Sequence, residues 1–210
     1  MQDSPDESVP FYAITVSRQF GSLGREIARR VSKRLGIDYY DRDLIEKAAA
    51  MLGCDMKQIS PLDENVNLPF ASALLPLGIG GKAAHRRLFE AQRSLILDSV
   101  QRGCCVIVGR CADYVLKDYP RRFSVMIYAP LKERIKNSVN ELRIPEYEVN
   151  DYVRKIDRAR DTYYRLFTGE HLTTVNNRDL LIDSSSMDID KAVDVIISAA
   201  RYKLNIPNLD

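Results

Sequence analysis

The stretch ITVSRQFGSLGREIARR, Ile14–Arg30, constrains the fold of this chain more than any other segment. An aromatic and β-branched run precedes the glycines, so Phe11–Ser17 is predicted to be a strand. After the glycine turn, a helix is predicted over Gly24–Leu35, where apolar residues recur on one face and Gly36 is placed to end it. A strand, a glycine turn and a helix in that order are typical of a loop that binds phosphate through backbone N–H groups.

The rest of the chain continues this alternation of strands and helices. Helices are predicted between four further strands, and an amphipathic helix over Asp188–Leu204 closes the chain. This order predicts βαβ crossovers, and therefore an α/β fold in one domain over residues 1–210, with a parallel five-stranded sheet flanked by helices. Ligands of such folds bind at the carboxyl ends of the strands. The four strands are Ile37–Tyr40, Cys104–Gly109, Arg122–Ala129 and Asp179–Asp183.

Composition argues against several classes of protein. A net charge of +2 gives no basis for binding nucleic acid or an anionic membrane surface. The longest weakly polar stretch, Leu68–Gly81, is too short to span a bilayer. The acidic N-terminus lacks the pattern of a signal peptide, and the four cysteines form no C-x-x-C pair, so reduced thiols in a cytoplasmic protein are predicted. The two histidines lie far apart, so no zinc site is predicted.

The glycine turn departs from the common phosphate-loop pattern, G-x-x-x-x-G-K-[ST]. If Gly24 is taken as the second glycine, Gln19 stands at the first. Arg25 then stands at the lysine and Glu26 at the hydroxyl residue. A guanidinium can replace the ammonium electrostatically, and its planar fork suits phosphate oxygens. The pattern alone is a weak match, but the strand before it and the helix after it support a phosphate site.

The predicted donor site is the whole turn. A carboxylate at position 26 would repel a triphosphate unless Mg²⁺ lies between, so Glu26 or the hydroxyl of Ser22 is a candidate Mg²⁺ ligand. Two alternatives remain at this point: a corner whose glycines only permit tight packing, and a dinucleotide site with Asp41 as its acid. The residues predicted to bind the donor are Arg18, Gly21, Ser22, Leu23, Gly24, Arg25 and Glu26.

Two other strands end in polar residues at the same predicted edge. Arg110 follows an apolar strand and a glycine, and Asp41 and Arg42 end the second strand. Because ligands bind at this edge, Arg110 is predicted to contact an anion. The alternative for Arg110 is an ion pair with Asp113 or Asp41, and Asp41 is equally suited to cap the next helix.

A long charged helix is predicted over Glu148–Phe167, and it carries one arginine on its apolar face. Arg160 falls in the middle of the stripe, whereas Arg158 lies on a neighbouring stripe whose charges can pair with one another in solvent. An inward guanidinium needs a partner, either an internal carboxylate or the transferring phosphoryl group. We expect Arg158 and Arg160 to stabilise transferred charge, since phosphoryl transfer depends on positioning and charge neutralisation. The stripe consists of Val149, Val153, Ile156, Tyr163 and Phe167.

Four segments carry a resemblance to a known family, and it extends from about Ala13 to Arg201. The chain resembles the cytidylate-kinase-like family of bacterial P-loop kinases, and it is similar, more distantly, to cytidylate kinase proper. The first segment is the glycine turn, and the third, VIVGRCAD, departs from cytidylate kinase because Cys111 stands where an aspartate is expected. The segments are Ile14–Ala28, Tyr39–Arg42, Val106–Asp113, and the charged helix around Asp157–Tyr164 with Asp179–Val193.

The resemblance implies a P-loop NTPase fold with a core over about 11–53 and 104–210. It further implies a helical insert over about 54–103 that holds the acceptor nucleotide, and an arginine-bearing lid over about 145–175. ATP and Mg²⁺ are the implied cofactors, and a pyrimidine monophosphate, CMP or dCMP, is the implied acceptor. The residues matched to the acceptor are Asp41, Arg42, Arg110 and Asp113, and the catalytic set is Arg25, Arg158 and Arg160.

Two other functions remain compatible with the altered turn. One is a regulatory module that binds a nucleotide or another phosphate ligand without turnover. The other is a kinase of a different small molecule on the same scaffold. The predicted partner in each case is a small molecule, and the sequence leaves the oligomeric state open.

Overall fold

The computed structural model of the chain describes residues 10–41, 51 and 81–207. Within these residues five strands alternate with helices. The strands are β1 Ala13–Arg18, β2 Asp38–Tyr40, β3 Cys105–Val108, β4 Arg122–Tyr128 and β5 Leu180–Asp183. The helices are α1 Gly24–Leu35, α2 Gly81–Arg102, α3 Ala112–Val115, α4 Leu131–Leu142, α5 Glu146–Thr168 and α6 Ile189–Leu204.

The strands form one sheet in the order β2-β3-β1-β4-β5, and every neighbouring pair is parallel. The predicted five-stranded parallel sheet flanked by helices is therefore confirmed. Because β1 lies in the centre, its carboxyl end has β3 on one side and β4 on the other. The register aligns Val16 with Val108 across the β1–β3 pair, which places Gly109 and Arg110 beside Arg18.

Both faces of the sheet are covered by apolar packing. Val106 and Val108 pack into a core with α1 and α6, whereas Cys105 and Ile107 pack on the opposite face with α2 and α3. All four side chains are buried, as expected for a strand covered on both faces. Gly36 ends α1 in the left-handed conformation, as its position predicts.

The α4–α5 pair packs on the loop after β1 rather than on the sheet. Phe20 of that loop is buried among Ile144, Val149 and Val153. The apolar stripe predicted for α5 is confirmed, since Val149, Val153, Ile156 and Tyr163 are buried and Phe167 is half-buried. This packing brings α5 to the carboxyl edge of β1.

The predicted domain divisions stay predictions. Most of the insert over 54–103 lies outside the described residues, and α2 is the part of it that is described. The predicted lid over 145–175 coincides with α5 and the turn after it, and its mobility stays a prediction. None of the described helices combines the length and the apolar character that a membrane span requires.

Candidate active site

The loop between β1 and α1 is a tight turn against α4. Gly21 has a φ of 75° and Leu23 a φ of 59°, so two residues of the turn are left-handed. A Cβ at Gly21 would collide with the carbonyl oxygen of Arg134, which explains the glycine at this position. No side chain caps the first turn of α1, whose N–H groups have no partner within the helix. The turn therefore has the backbone arrangement of an anion-binding site.

Arg18 lies across the end of the sheet, and two glycines make room for it. A Cβ at Gly24 would lie 2.7 Å from the Cβ of Arg18, and a Cβ at Gly109 would collide with its guanidinium. Gly109 also has a φ of 72°, in the region that favours glycine. Gly24 and Gly109 thus leave the space that the Arg18 side chain occupies.

Four arginines and one aspartate lie together at this edge; we call Arg18, Arg25, Arg110, Arg160 and Asp41 the arginine cluster. The Nε of Arg25 lies 2.5 Å from Oδ2 of Asp41, and Nη2 of Arg18 lies 3.7 Å from Oδ1. The hydroxyl of Tyr39 also approaches Oδ2 of Asp41, at 3.4 Å. Asp41 thus acts on Arg18, Arg25 and Arg110, whereas the acid that acts on Arg160 is Asp157.

The pKa values of the cluster reflect burial first and the neighbouring charges second. Burial opposes ionisation of Asp41, but Arg18, Arg25 and Arg110 outweigh it and hold the pKa of the carboxyl below its usual value. Burial, together with the neighbouring Arg18, lowers the pKa of Arg110 to about 10. Burial and the same neighbour lower the pKa of Arg160 well below its ordinary value. Each of these cations would be stabilised by an added anion.

Arg160 reaches the loop from α5, and Arg158 does not. The Nη1 of Arg160 donates to the carbonyl of Arg18 at 3.3 Å, and its guanidinium lies 5.6 Å from the centre of the Phe20 ring. The Nε of Arg160 is buried with no hydrogen-bond partner among the described residues. Arg158 is exposed and lines neither cavity of the site. Of the two arginines predicted from α5, the structure therefore brings only Arg160 to the loop.

Two cavities meet at the arginine cluster. The larger, of about 720 Å³, is bordered by the turn, the start of α1, Tyr39 and Asp41, and its size suits a nucleotide. The smaller, of about 40 Å³, contains Arg110 and is closed by Cys111, Tyr163 and Tyr164. Arg18 and Arg160 line both cavities, so they stand where a group would pass from one to the other.

Ser22 and Glu26, the two predicted candidates for Mg²⁺, both have hydrogen-bond partners within the protein. Ser22 is buried, and its hydroxyl lies 2.9 Å from the carbonyl of Gln19 and 3.2 Å from that of Ile127, away from the larger cavity. Glu26 lines that cavity, but its carboxylate accepts hydrogen bonds of 2.8–2.9 Å from Arg29 and Arg30. These bonds, Arg29's first, lower its pKa. The two arginines therefore remove the expected repulsion of phosphate without a metal ion.

The described residues contain no cluster of three or more acidic, histidine or cysteine side chains arranged for a metal. The ligands of Mg²⁺ therefore stay a prediction. Asp183, the last residue of β5, accepts from the N–H of Ser185 at 2.9 Å and shapes the turn before α6.

Asp113 is not an acceptor contact, which corrects its predicted role. It is buried and pairs with Arg178, whose Nη1 lies 2.5 Å from Oδ2. The hydroxyl of Tyr164 donates to the same oxygen at 2.6 Å, and Arg122 donates to its carbonyl at 2.9 Å. Its ion pair is with Arg178 and not with Arg110. Arg110, by contrast, lines the smaller cavity, and its contact with an anion stays a prediction.

Two ion pairs near the site were not predicted from the sequence. One is Arg178 with Asp113, and the other joins Arg134 of α4 to Asp157 of α5. Arg178 lies in a polar stretch before β5, where nothing in the pattern marks it as buried. Asp157 lies three residues before Arg160, one helical turn away on the same helix, and this spacing is the signal that links it to the site. Arg42, predicted to contact the acceptor, lies outside the described residues.

Comparison with known proteins places these features in a family. The model of the cytidylate kinase-like family matches residues 13–186. No curated protein sequence matches the chain. A crystal structure of an uncharacterized protein from Eubacterium ventriosum is 20% identical, covers 90% of this chain and 98% of its own, and has a TM-score of 0.68.

Solved kinases have the same fold at lower identity. Shikimate kinase from Acinetobacter baumannii, in complex with shikimate, is 13% identical with a TM-score of 0.53, and the match covers 91% of this chain and 94% of that one. A gluconokinase from Sinorhizobium meliloti is 9% identical with a TM-score of 0.53, over 94% and 95% of the two chains. The predicted P-loop kinase fold is confirmed, and the chain belongs to the cytidylate kinase-like family.

Proposed function

We propose that this protein transfers the terminal phosphoryl group of ATP to a small anionic acceptor, with CMP or dCMP as the first candidates. The observation that carries the proposal is the arginine cluster, in which the desolvated Arg18, Arg110 and Arg160 lie close to one another beside an uncapped helix N-terminus. Guanidinium groups that lie close together repel one another, and a polyphosphate bound among them would offset that repulsion.

The roles follow from the two cavities. Gly21, Leu23, Gly24 and Arg25 border the larger cavity and hold the donor phosphates. Arg110 binds the acceptor anion in the smaller cavity, and Arg18 and Arg160 stabilise the charge of the group that passes between them.

An oxygen of the acceptor attacks the terminal phosphorus of ATP, the bond to the bridging oxygen breaks, and ADP leaves with that oxygen. A phosphate acceptor is already ionised at neutral pH, so the reaction needs no general base. Mg²⁺ would enter with ATP, since it bridges phosphate oxygens in such reactions. The three described cysteines are free thiols, which supports a cytoplasmic location.

A kinase of another small molecule is the second candidate, and the position of Asp113 favours it. Cys111 replaces the aspartate that the resemblance expects, and Asp113, two residues later, is bound to Arg178. The described residues of this segment thus supply no free carboxylate for a cytosine or a sugar. The small volume beside Arg110 also suits a compact acceptor.

Release of ADP from Mg-ATP with a panel of acceptors tests the proposal. The panel contains the common nucleoside monophosphates and a set of small hydroxy acids and sugar phosphates. Turnover with CMP or dCMP supports the first candidate, and turnover only with a non-nucleotide acceptor supports the second. Binding of ATP in a calorimeter with no turnover on any acceptor would instead indicate a regulatory binding module.

A further inference from the structure

Asp157 of α5 holds the backbone of the phosphate loop although it borders neither cavity. Its Oδ1 accepts a hydrogen bond from the N–H of Phe20 at 2.8 Å. Its Oδ2 pairs with Nη1 of Arg134 on α4. The N–H of Phe20 is therefore bonded to a side chain 137 residues away in the sequence.

Arg134 also bonds to the backbone of Phe20. Its Nη1 also donates to the carbonyl of Phe20 at 3.2 Å, and its Nε donates to the carbonyl of Ala129 at 3.0 Å. One ion pair thus holds both the N–H and the C=O of Phe20. Asn137 extends the contact by one residue, since its Nδ2 donates to the carbonyl of Gly21 at 3.0 Å.

The charge of this pair suits a neighbouring phosphate. A lone carboxylate beside a polyphosphate would repel it, and Arg134 neutralises that carboxylate. A charge-assisted hydrogen bond to a backbone N–H is also stronger than a neutral one. Asp157 can therefore fix the loop firmly without lowering its affinity for anions.

The same part of α5 also carries Arg160. It lies one turn after Asp157 on α5, donates to the carbonyl of Arg18, and packs over the ring of Phe20. Phe20 is thus held through its backbone by Asp157 and through its ring by Arg160. Any displacement of α5 at this point would move the loop and the arginine together.

We propose that Asp157 is a positioning residue that holds the phosphate loop and Arg160 in one fixed arrangement. This inference rests on the proposed function only in taking the loop as the donor site. It assigns to this part of α5 the role of supporting the phosphate loop.

Two substitutions at Asp157 and one control test the proposal. Asp157→Ala removes the acceptor of the Phe20 N–H, whereas Asp157→Asn keeps an oxygen that can accept it. Asp151→Asn changes an exposed acid on the same helix and serves as the matched control. The measurements are the Kd for ATP by calorimetry, the KM values and kcat, the thermal midpoint, and the exchange rate of the Phe20 amide hydrogen.

We expect Asp157→Ala to weaken ATP binding about tenfold, because one buried hydrogen bond is lost. It should also lower kcat about tenfold, because the placement of Arg160 is lost. Asp157→Asn should lose less than about threefold in ATP affinity because the hydrogen bond remains. Asp151→Asn should match the wild type. Exchange of the Phe20 amide should accelerate in Asp157→Ala only.

Equal ATP affinity in Asp157→Ala and the wild type would overturn the proposal, as would equal losses in Asp157→Ala and Asp157→Asn. If Asp157→Ala does not fold, amide exchange in the wild type decides the outcome. Exchange of the Phe20 amide hydrogen as slow as that of helix amides supports the proposal. Exchange at the rate of an unprotected amide overturns it. If no acceptor is phosphorylated, the proposed function fails, but ATP affinity and amide exchange still test the role of Asp157.

Discussion

Two groups of charged residues in this protein differ in how their arginines are paired. In the first, the arginine cluster, several guanidinium groups lie close to one another, and Arg18, Arg25 and Arg110 share Asp41. In the second, one buried arginine meets one buried carboxylate: Arg178 is 0% exposed and Asp113 is 1% exposed. This pair lines neither cavity, although Tyr164, whose hydroxyl donates to Asp113, lines the smaller one.

This difference is our basis for treating one group as a structural ion pair and the other as a proposed binding site. A buried pair with matched charge holds the fold, and it loses stability when one partner is removed. Guanidinium groups that crowd one another beside a cavity would instead be stabilised by a ligand of opposite charge. Burial alone therefore does not separate the two groups, whereas the arrangement of charges around each arginine does.

The largest effect is expected at Arg160. Arg160→Ala should lower kcat about a thousandfold, because it removes a cation that stabilises the transferred group. The thermal midpoint should stay the same or rise, since a desolvated charge is lost. Steady-state kinetics and a melting curve measure both. Arg158→Ala, on the exposed side of α5, should lower kcat less than about threefold. Equal losses in the two variants would contradict this assignment.

The second group should show the opposite response. Arg178→Met should lower the free energy of unfolding by about 3–5 kcal/mol, because Asp113 is then buried without a counter-charge. Urea titration measures this loss, and the folded enzyme should keep its KM for ATP. Adding Asp113→Asn to Arg178→Met should recover part of the stability. A raised KM for ATP in Arg178→Met at wild-type stability would place Arg178 in the site instead.

Substitution of Asp41 tests the charge balance of the arginine cluster. Asp41→Asn should destabilise the unliganded protein by about 2 kcal/mol at pH 7, because the arginines lose their counter-charge. The pKa of Asp41 is lower in the folded protein than its ordinary 3.8, so its contribution is present above pH 3.8 and is lost as the pH falls through the lower folded value.

Urea titrations from pH 2 to pH 8 should therefore show a constant difference between wild type and Asp41→Asn above about pH 5, and none at the acid end. Inorganic triphosphate should raise the thermal midpoint more in the variant than in the wild type, because it supplies the missing negative charge. A smaller rise in the variant would show that Asp41 helps to bind the ligand.

The smallest effect is expected from two glycines with similar backbones. Gly36→Ala and Gly109→Ala should each cost about 1–2 kcal/mol of stability, since both positions have positive φ angles. An added Cβ meets nothing within 4 Å at Gly36 but collides with the Arg18 guanidinium at Gly109. Only Gly109→Ala should therefore weaken ATP binding, by about tenfold as measured by calorimetry. Equal affinity in the two variants would show that Arg18 does not contact the donor.

Much of the fold was predictable from periodicity and turn residues. The predicted strands and the helix over Gly24–Leu35 agree with the structure to within about two residues at each end. Arg160 was also predictable, because a charge on an apolar helix face is visible in the sequence. The loop arginines and Arg110 were placed correctly, since strand ends of a parallel sheet share one edge.

The sequence by itself determined the alternation of strands and helices, the edge at which ligands bind, and the inward face of Arg160, because these depend on spacing along the chain. Only the tertiary structure decided which arginine meets which carboxylate. Arg178 with Asp113, 65 residues apart, and Asp157 with Phe20 and Arg134 are contacts between distant segments. Local periodicity carries no information about such pairs, because the choice of partner depends on how the helices pack against the sheet.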